Sequence, residues 1–127
     1  MDPVGILLQT SLFGDLSATD VEELLPDLRE RSFAGGEAVW FEGDPADSLY
    51  VVAEGQLKSY RVGRDGAELI LLLQSGIDVA GEVGLFHPSG VRQVGVSAME
   101  PTRCLVLGKR PLLAFLARHP IAMERML

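Results

Sequence analysis

The sequence predicts a mainly β domain, a sandwich, roll or barrel of short strands, with helices at both ends. Between Arg31 and Leu107 the apolar residues fall in short runs separated by Gly35-Gly36, Gly43-Asp44-Pro45, Glu54-Gly55, Gly63-Arg64-Asp65-Gly66 and Ser75-Gly76, as turns separate strands. On either side of this stretch the apolar spacing is helical instead. The length, 127 residues, suits one domain with a single core.

Taken in order, Pro3 to Leu8 reads as a short apolar helix and Ser11 to Gly14 as a turn. Ser17 is placed to cap a second helix, with Asp20, Glu22 and Glu23 near its positive end and Val21, Leu24, Leu25 and Leu28 as its apolar face. Pro26 breaks or kinks that helix. Helices thus occupy residues 1–30, packed outside a sheet structure over 31–108. Val39 with Phe41, Leu49 with Val51, and the run Leu69 to Leu73 supply apolar strand faces, and Gly63-Arg64-Asp65-Gly66 forms a hairpin turn. Helical spacing returns over 109–127, where Leu112, Leu113, Phe115 and Leu116 share a face, Pro111 suits the first turn, and Arg118 and His119 suit the last. Pro120 ends that helix, and Ile121, Met123, Met126 and Leu127 begin another apolar pattern that the chain's end cuts short.

Composition excludes several classes of function. With 47% hydrophobic and 23% charged residues the chain is globular in character. Its 18 acidic against 11 basic residues give a formal charge of −7, which repels nucleic acid, so any DNA contact would belong to another segment. Cys104 is the single cysteine, reads as a buried thiol, and cannot alone build an iron–sulfur site. The two histidines, His87 and His119, are too few for a cupin-like metal centre, and the serines stand in no nucleophile-elbow setting, so no enzyme is expected. His87, before Pro88, is expected in solvent rather than on a haem. With Asp2 in place of a basic n-region and no apolar stretch of about eighteen residues, the expected location is the cytoplasm, away from membranes.

The chemistry concentrates between Gly81 and Ala98. If Val91 to Met99 is a strand, Arg92 falls in phase with Val94, Val96 and Ala98, while Gln93, Gly95 and Ser97 face the other way. A guanidinium facing an apolar interior needs an anion, and its planar fork suits a carboxylate or a phosphate. The carboxylate would be Glu82; the phosphate would belong to a ligand. Gly81 and Gly84 favour a ligand, because they let the backbone approach closely and let amides from about Val83 to Leu85 converge on one anion. Glu82 would then accept a hydrogen bond from a sugar hydroxyl.

The stretch Gly81-Glu82-Val83-Gly84-Leu85-Phe86, with Arg92 following, resembles the phosphate-binding cassette of cyclic nucleotide-binding domains, especially those of the catabolite activator and fumarate-nitrate regulator (CRP/FNR) family. Phe33-Ala34-Gly35-Gly36-Glu37, Phe41-Glu42-Gly43-Asp44, Ser48-Leu49-Tyr50-Val51-Val52 and Gly55-Gln56-Leu57-Lys58 are similar to that family's opening strands. The resemblance implies a double-stranded β-helix, or jelly-roll β-roll, as one effector domain over residues 1–127. It implies a cyclic nucleotide, cAMP or cGMP, as effector, with no further cofactor. Val83 and Gly84 amides and Arg92 would hold the cyclic phosphate, and Glu82 the ribose 2′-hydroxyl. After the arginine the family usually has Ser or Thr then Ala; here Gln93 then Val94 take more room, and Gln93 could donate to phosphate through its amide. The resemblance further implies a homodimer in the full-length protein and DNA binding through a helix-turn-helix domain that follows a long dimer helix. The alternative is a family member with a non-nucleotide effector or none, a structural dimerisation module closed by an Arg92–Glu82 bridge.

Overall fold

The structure, a computed structural model, describes residues 2–126. Leu127, the last residue of the predicted terminal pattern, lies outside them. Helix α1 (Pro3–Leu8) is capped by Asp2, whose carboxylate accepts the Gly5 N–H at 2.7 Å. In α2 (Ala18–Glu22) the Ser17 hydroxyl accepts the Asp20 N–H at 3.1 Å, as the sequence predicts. The helix stops sooner than its apolar spacing suggests, and Pro26 sits in a separate 3-10 turn, Leu25–Asp27. Only Val21 and Leu24 of the expected face are fully buried; Leu25 is exposed.

The strands are β1 (Leu28–Phe33), β2 (Ala38–Trp40), β3 (Ser48–Glu54), β4 (Gln56–Val62), β5 (Glu68–Ser75), β6 (Asp78–Ala80), β7 (Gly95–Ala98) and β8 (Thr102–Gly108). They form two four-stranded antiparallel sheets, ordered β1-β8-β3-β6 and β2-β7-β4-β5. The mainly β fold expected from the turn spacing is present. A short helix α3 (Glu82–Leu85) separates β6 from β7, and α4 (Lys109–Arg118) and α5 (Pro120–Met126) close the chain.

The first sheet is covered on both faces, and strand alternation sorts its side chains between two cores. Leu49 and Val51 of β3, with Leu105 and Leu107 of β8, join Ile6, Leu7, Phe13, Phe115 and Leu116 beneath the helices. Tyr50 and Val52, with Cys104 and Val106, instead meet Trp40, Leu57 and Val96 between the sheets. Burial on both sides is why these strands read as unbroken apolar runs.

Two expectations about strand faces are corrected. Leu69 to Leu73 do not supply a buried face: β5 is the outer strand of the second sheet, paired through its main chain with β4 alone among the described residues, and all of these residues are exposed. Phe41 lies past the end of β2, its N–H held by Asp44 in a turn, and is exposed as well. The strand expected from Val91 is also shorter. Arg92 exchanges main-chain bonds with the turn before β3, from its N–H to Asp44 O at 2.8 Å and from Gly43 N–H to its own carbonyl at 2.9 Å, so regular pairing begins only at Gly95.

Candidate functional site

Gly81 turns the chain out of β6. Its φ of 92° lies in the left-handed region open to glycine, and a Cβ there would stand 2.7 Å from Arg92 Nη1. The turn then becomes α3, whose first helical bond runs from Leu85 N–H to Gly81 O at 3.3 Å. The amides of Glu82, Val83 and Gly84 precede that bond and have no carbonyl four residues back within the helix. Leu85 is fully buried in the helix-side core and anchors the turn. Gly84 lets the arginine stem pass: a Cβ there would lie 3.3 Å from Arg92 Cδ and 3.4 Å from Ala46 Cβ.

Arg92 points inward and is 3% exposed. Its Nη1 donates to Gly81 O at 2.9 Å and its Nη2 to Ser48 O at 2.7 Å, while the guanidinium lies over Trp40 with Cζ 3.9 Å from the ring centroid. Burial pushes the Arg92 ionisation below its ordinary value; Tyr50, Asp47, Asp44 and Glu82 act in the opposite direction. Among the described residues no carboxylate comes within 4.0 Å of its nitrogens, so the Arg92–Glu82 bridge of the alternative reading is not formed. Instead, Arg92 Nε and Glu82 Oε2 are both buried without a hydrogen-bond partner. A buried donor and a buried acceptor left open at one site are costly unless a ligand completes them.

Both residues line one cavity of about 240 Å³ between the second sheet and α3. Leu57, Leu72, Val79, Val94 and Val96 make its walls apolar, and Trp40 lies at its base beside Arg92. Of the residues singled out from the sequence, Gly81, Glu82, Val83, Gly84, Arg92 and Gln93 meet there. Leu85 does not; it faces the opposite core. Gln93 lines the cavity but its side-chain amide donates to Ser89 Oγ at 3.0 Å and Val91 O at 2.8 Å, bracing the loop before it. Sequence reasoning missed Trp40, Ser59, Leu72 and Gln74, which reach the cavity from β2, β4 and β5. Their sequence distance from the glycine turn leaves no local signal; only the strand pairing brings them in.

The two histidines stand elsewhere. His87 is exposed on the loop after α3, its Nδ1 2.8 Å from Ser89 Oγ. His119 ends α4, with Asp20 at 3.9 Å from Nδ1 and Glu23 at 3.1 Å from Nε2. These carboxylates face opposite nitrogens of the ring. The hydrogen bond from His119 holds the Glu23 carboxyl below its usual range.

A family profile described as the cyclic nucleotide-binding domain matches residues 30–119. The chain is 28% identical over 122 residues to a CRP-like cAMP-activated global transcriptional regulator of Mycobacterium tuberculosis, covering 96% of this chain and 54% of that protein. It is 30% identical over 110 residues to the cyclic AMP receptor protein of Thermus thermophilus, covering 87% and 50%. Among solved structures it superposes on the N-terminal domain of a transcriptional regulator from Streptomyces coelicolor A3(2) with a TM-score of 0.80 and 33% identity, covering 95% of this chain and 84% of that one. The chain therefore spans about half the length of the curated relatives it matches. No helix among the described residues is long and apolar enough to cross a membrane.

Proposed function

This chain belongs to the cyclic nucleotide-binding domain family, and on that premise we propose that it is the ligand-sensing regulatory domain of a cytoplasmic bacterial CRP/FNR-type transcription factor, with cAMP or cGMP as effector. It binds and does not catalyse. The observation that carries this reading is the pair of open polar atoms, Arg92 Nε and Glu82 Oε2, buried beside the bare amides of α3 on an apolar cavity. A cyclic phosphate would take the Val83 and Gly84 amides and the Arg92 fork, and the ribose 2′-hydroxyl would donate to Glu82. The base would lie against the apolar wall of β4 and β5. Gln93 acts through the loop it braces rather than by touching phosphate.

Coupling would run through Leu85, which leaves the ligand turn and enters the core shared by Leu112, Phe115 and Leu116 of α4 and Ala122 of α5. A ligand that moves the turn repacks those helices, and only contacts that differ between two arrangements can shift the balance between them. In the whole protein the helices would lead to a homodimer interface and a DNA-binding domain; the charge of −7 gives this chain no role in holding DNA itself.

Calorimetric titration with cAMP and with cGMP tests the reading. Wild type is expected to give heat with at least one, and Arg92→Ala to lose about 100-fold or more in affinity, as expected when a charged partner of a buried pair is removed. No heat from either nucleotide in wild type sinks the ligand assignment. One observation favours a second reading, a dimerisation module with no nucleotide: the exposed apolar run on β5. That reading expects a dimer by sedimentation and a melting temperature indifferent to nucleotide, where a ligand of the folded state would raise it.

A further inference from the structure

We propose that Trp40 is the positioning residue that holds the phosphate-binding guanidinium ready, free of a direct ion pair, before any ligand arrives; this rests on the reading above. A buried cation is usually held by a carboxylate, which an arriving anion must then displace. The groups in contact with Arg92 are neutral instead, the carbonyls of Gly81 and Ser48 and the face of the Trp40 ring, 3.9 Å from Cζ, with the Tyr50 ring at 6.0 Å, while Asp44, Asp47 and Glu82 act on it without forming an ion pair. A ring face attracts a cation most strongly where water is excluded, and Arg92 is 3% and Trp40 8% exposed. None of the contacting groups is an anion that an arriving phosphate would have to displace.

The indole also ties the two halves of the site together. Its Nε1 donates to Val94 O at 2.9 Å, fixing the segment just after the arginine. Its far edge packs against the glycine turn, where a Cβ on Gly81 would meet Trp40 Cη2 at 3.0 Å. One rigid ring therefore sets the distance between the amides of the turn and the fork of the arginine. An aliphatic residue would fill the same core space between the sheets but offers neither a π-face nor an N–H.

The experiment has two arms on the 127-residue chain. Trp40 is the only tryptophan, so its emission reports on the guanidinium above it without any ligand. Arg92→Lys keeps the charge but cannot stack as a plane, and Arg92→Gln removes the charge. Both are expected to shift Trp40 emission; an unchanged spectrum in both overturns the proposal, whatever the ligand. The second arm measures the affinity of cAMP or cGMP, whichever binds wild type. Trp40→Leu is expected to lose about tenfold, the scale of a desolvated cation–π contact, and Trp40→Phe, which keeps a π-face but loses the N–H to Val94, to lose less than Trp40→Leu. Trp40→Met replaces Trp40→Leu if the latter does not unfold cooperatively.

The same loss is then sought in an Arg92→Lys background. If Trp40 acts through the arginine plane, Trp40→Leu adds less than about twofold there, because coupled residues are not additive. A full tenfold loss in that background would mean that Trp40 serves only the core, and the proposal falls. If wild type binds neither nucleotide, the function proposed above fails, and the emission arm still decides this one.

Discussion

β3 and β5 are two long apolar strands of this molecule, and they meet opposite fates. Ser48-Leu49-Tyr50-Val51-Val52 is buried at every position, whereas Leu69-Ile70-Leu71-Leu72-Leu73 is exposed at every position. Local composition does not separate them. Position in the sheet does: β3 pairs with β8 and β6 in a sheet with helices on one face and a second sheet on the other, while β5 pairs with β4 alone at an edge. Apolar sequence thus specifies a strand, and the layers around it decide how much of that strand leaves water.

Identical substitutions in the two strands test this. The largest effect is expected at Leu49, fully buried in the helix-side core: Leu49→Ala should cost about 2–5 kcal/mol of unfolding free energy, from lost burial and the cavity left behind. Urea unfolding measures it, and a loss below about 1 kcal/mol would erase the contrast with β5. A second effect comes from the neighbouring strand of the same sheet. Cys104 on β8 is fully buried, and burial pushes its thiol from 9.0 up to about 11. A raised ionisation leaves its contribution whole below pH 9.0 and removes it as pH climbs toward 11, because the unfolded chain loses the proton first. The expected loss across that window is about 2–3 kcal/mol at ~1.4 kcal/mol per unit. The quantity to read is the difference in slope between wild type and Cys104→Ala, which isolates the thiol. Parallel curves would mean that the thiol stays open to solvent.

The same contrast explains what the sequence made legible. Residues whose role is set locally were readable: Ser17 as a cap, Gly63 to Gly66 as a turn, and Arg92 as an inward-facing cation in a glycine-bearing setting. The Gly81 to Leu85 turn could be read as well, because left-handed backbone and close approach demand particular residue types. What could not be read depends on pairing across the chain. Nothing near Trp40 in sequence announces that it will lie under Arg92, and nothing in Leu69 to Leu73 announces an edge. Gln93 was legible as a departure after the arginine, but not its use: its amide turns back to Ser89 and Val91 instead of into the cavity.

The smallest effect is expected on β5, and it sharpens the contrast most. Leu69 is 63% exposed and pairs across the strand with Arg61, so Leu69→Ala removes little buried surface and creates no cavity. The expected change is within about 1 kcal/mol, mostly the lower strand preference of alanine. Running the unfolding at two protein concentrations gives the number its meaning. A loss near that of Leu49→Ala, growing with concentration, would show that a second copy covers β5 in solution and that the strand is buried in the assembly. A small loss independent of concentration leaves β5 an apolar edge strand, paired with β4 and open to water.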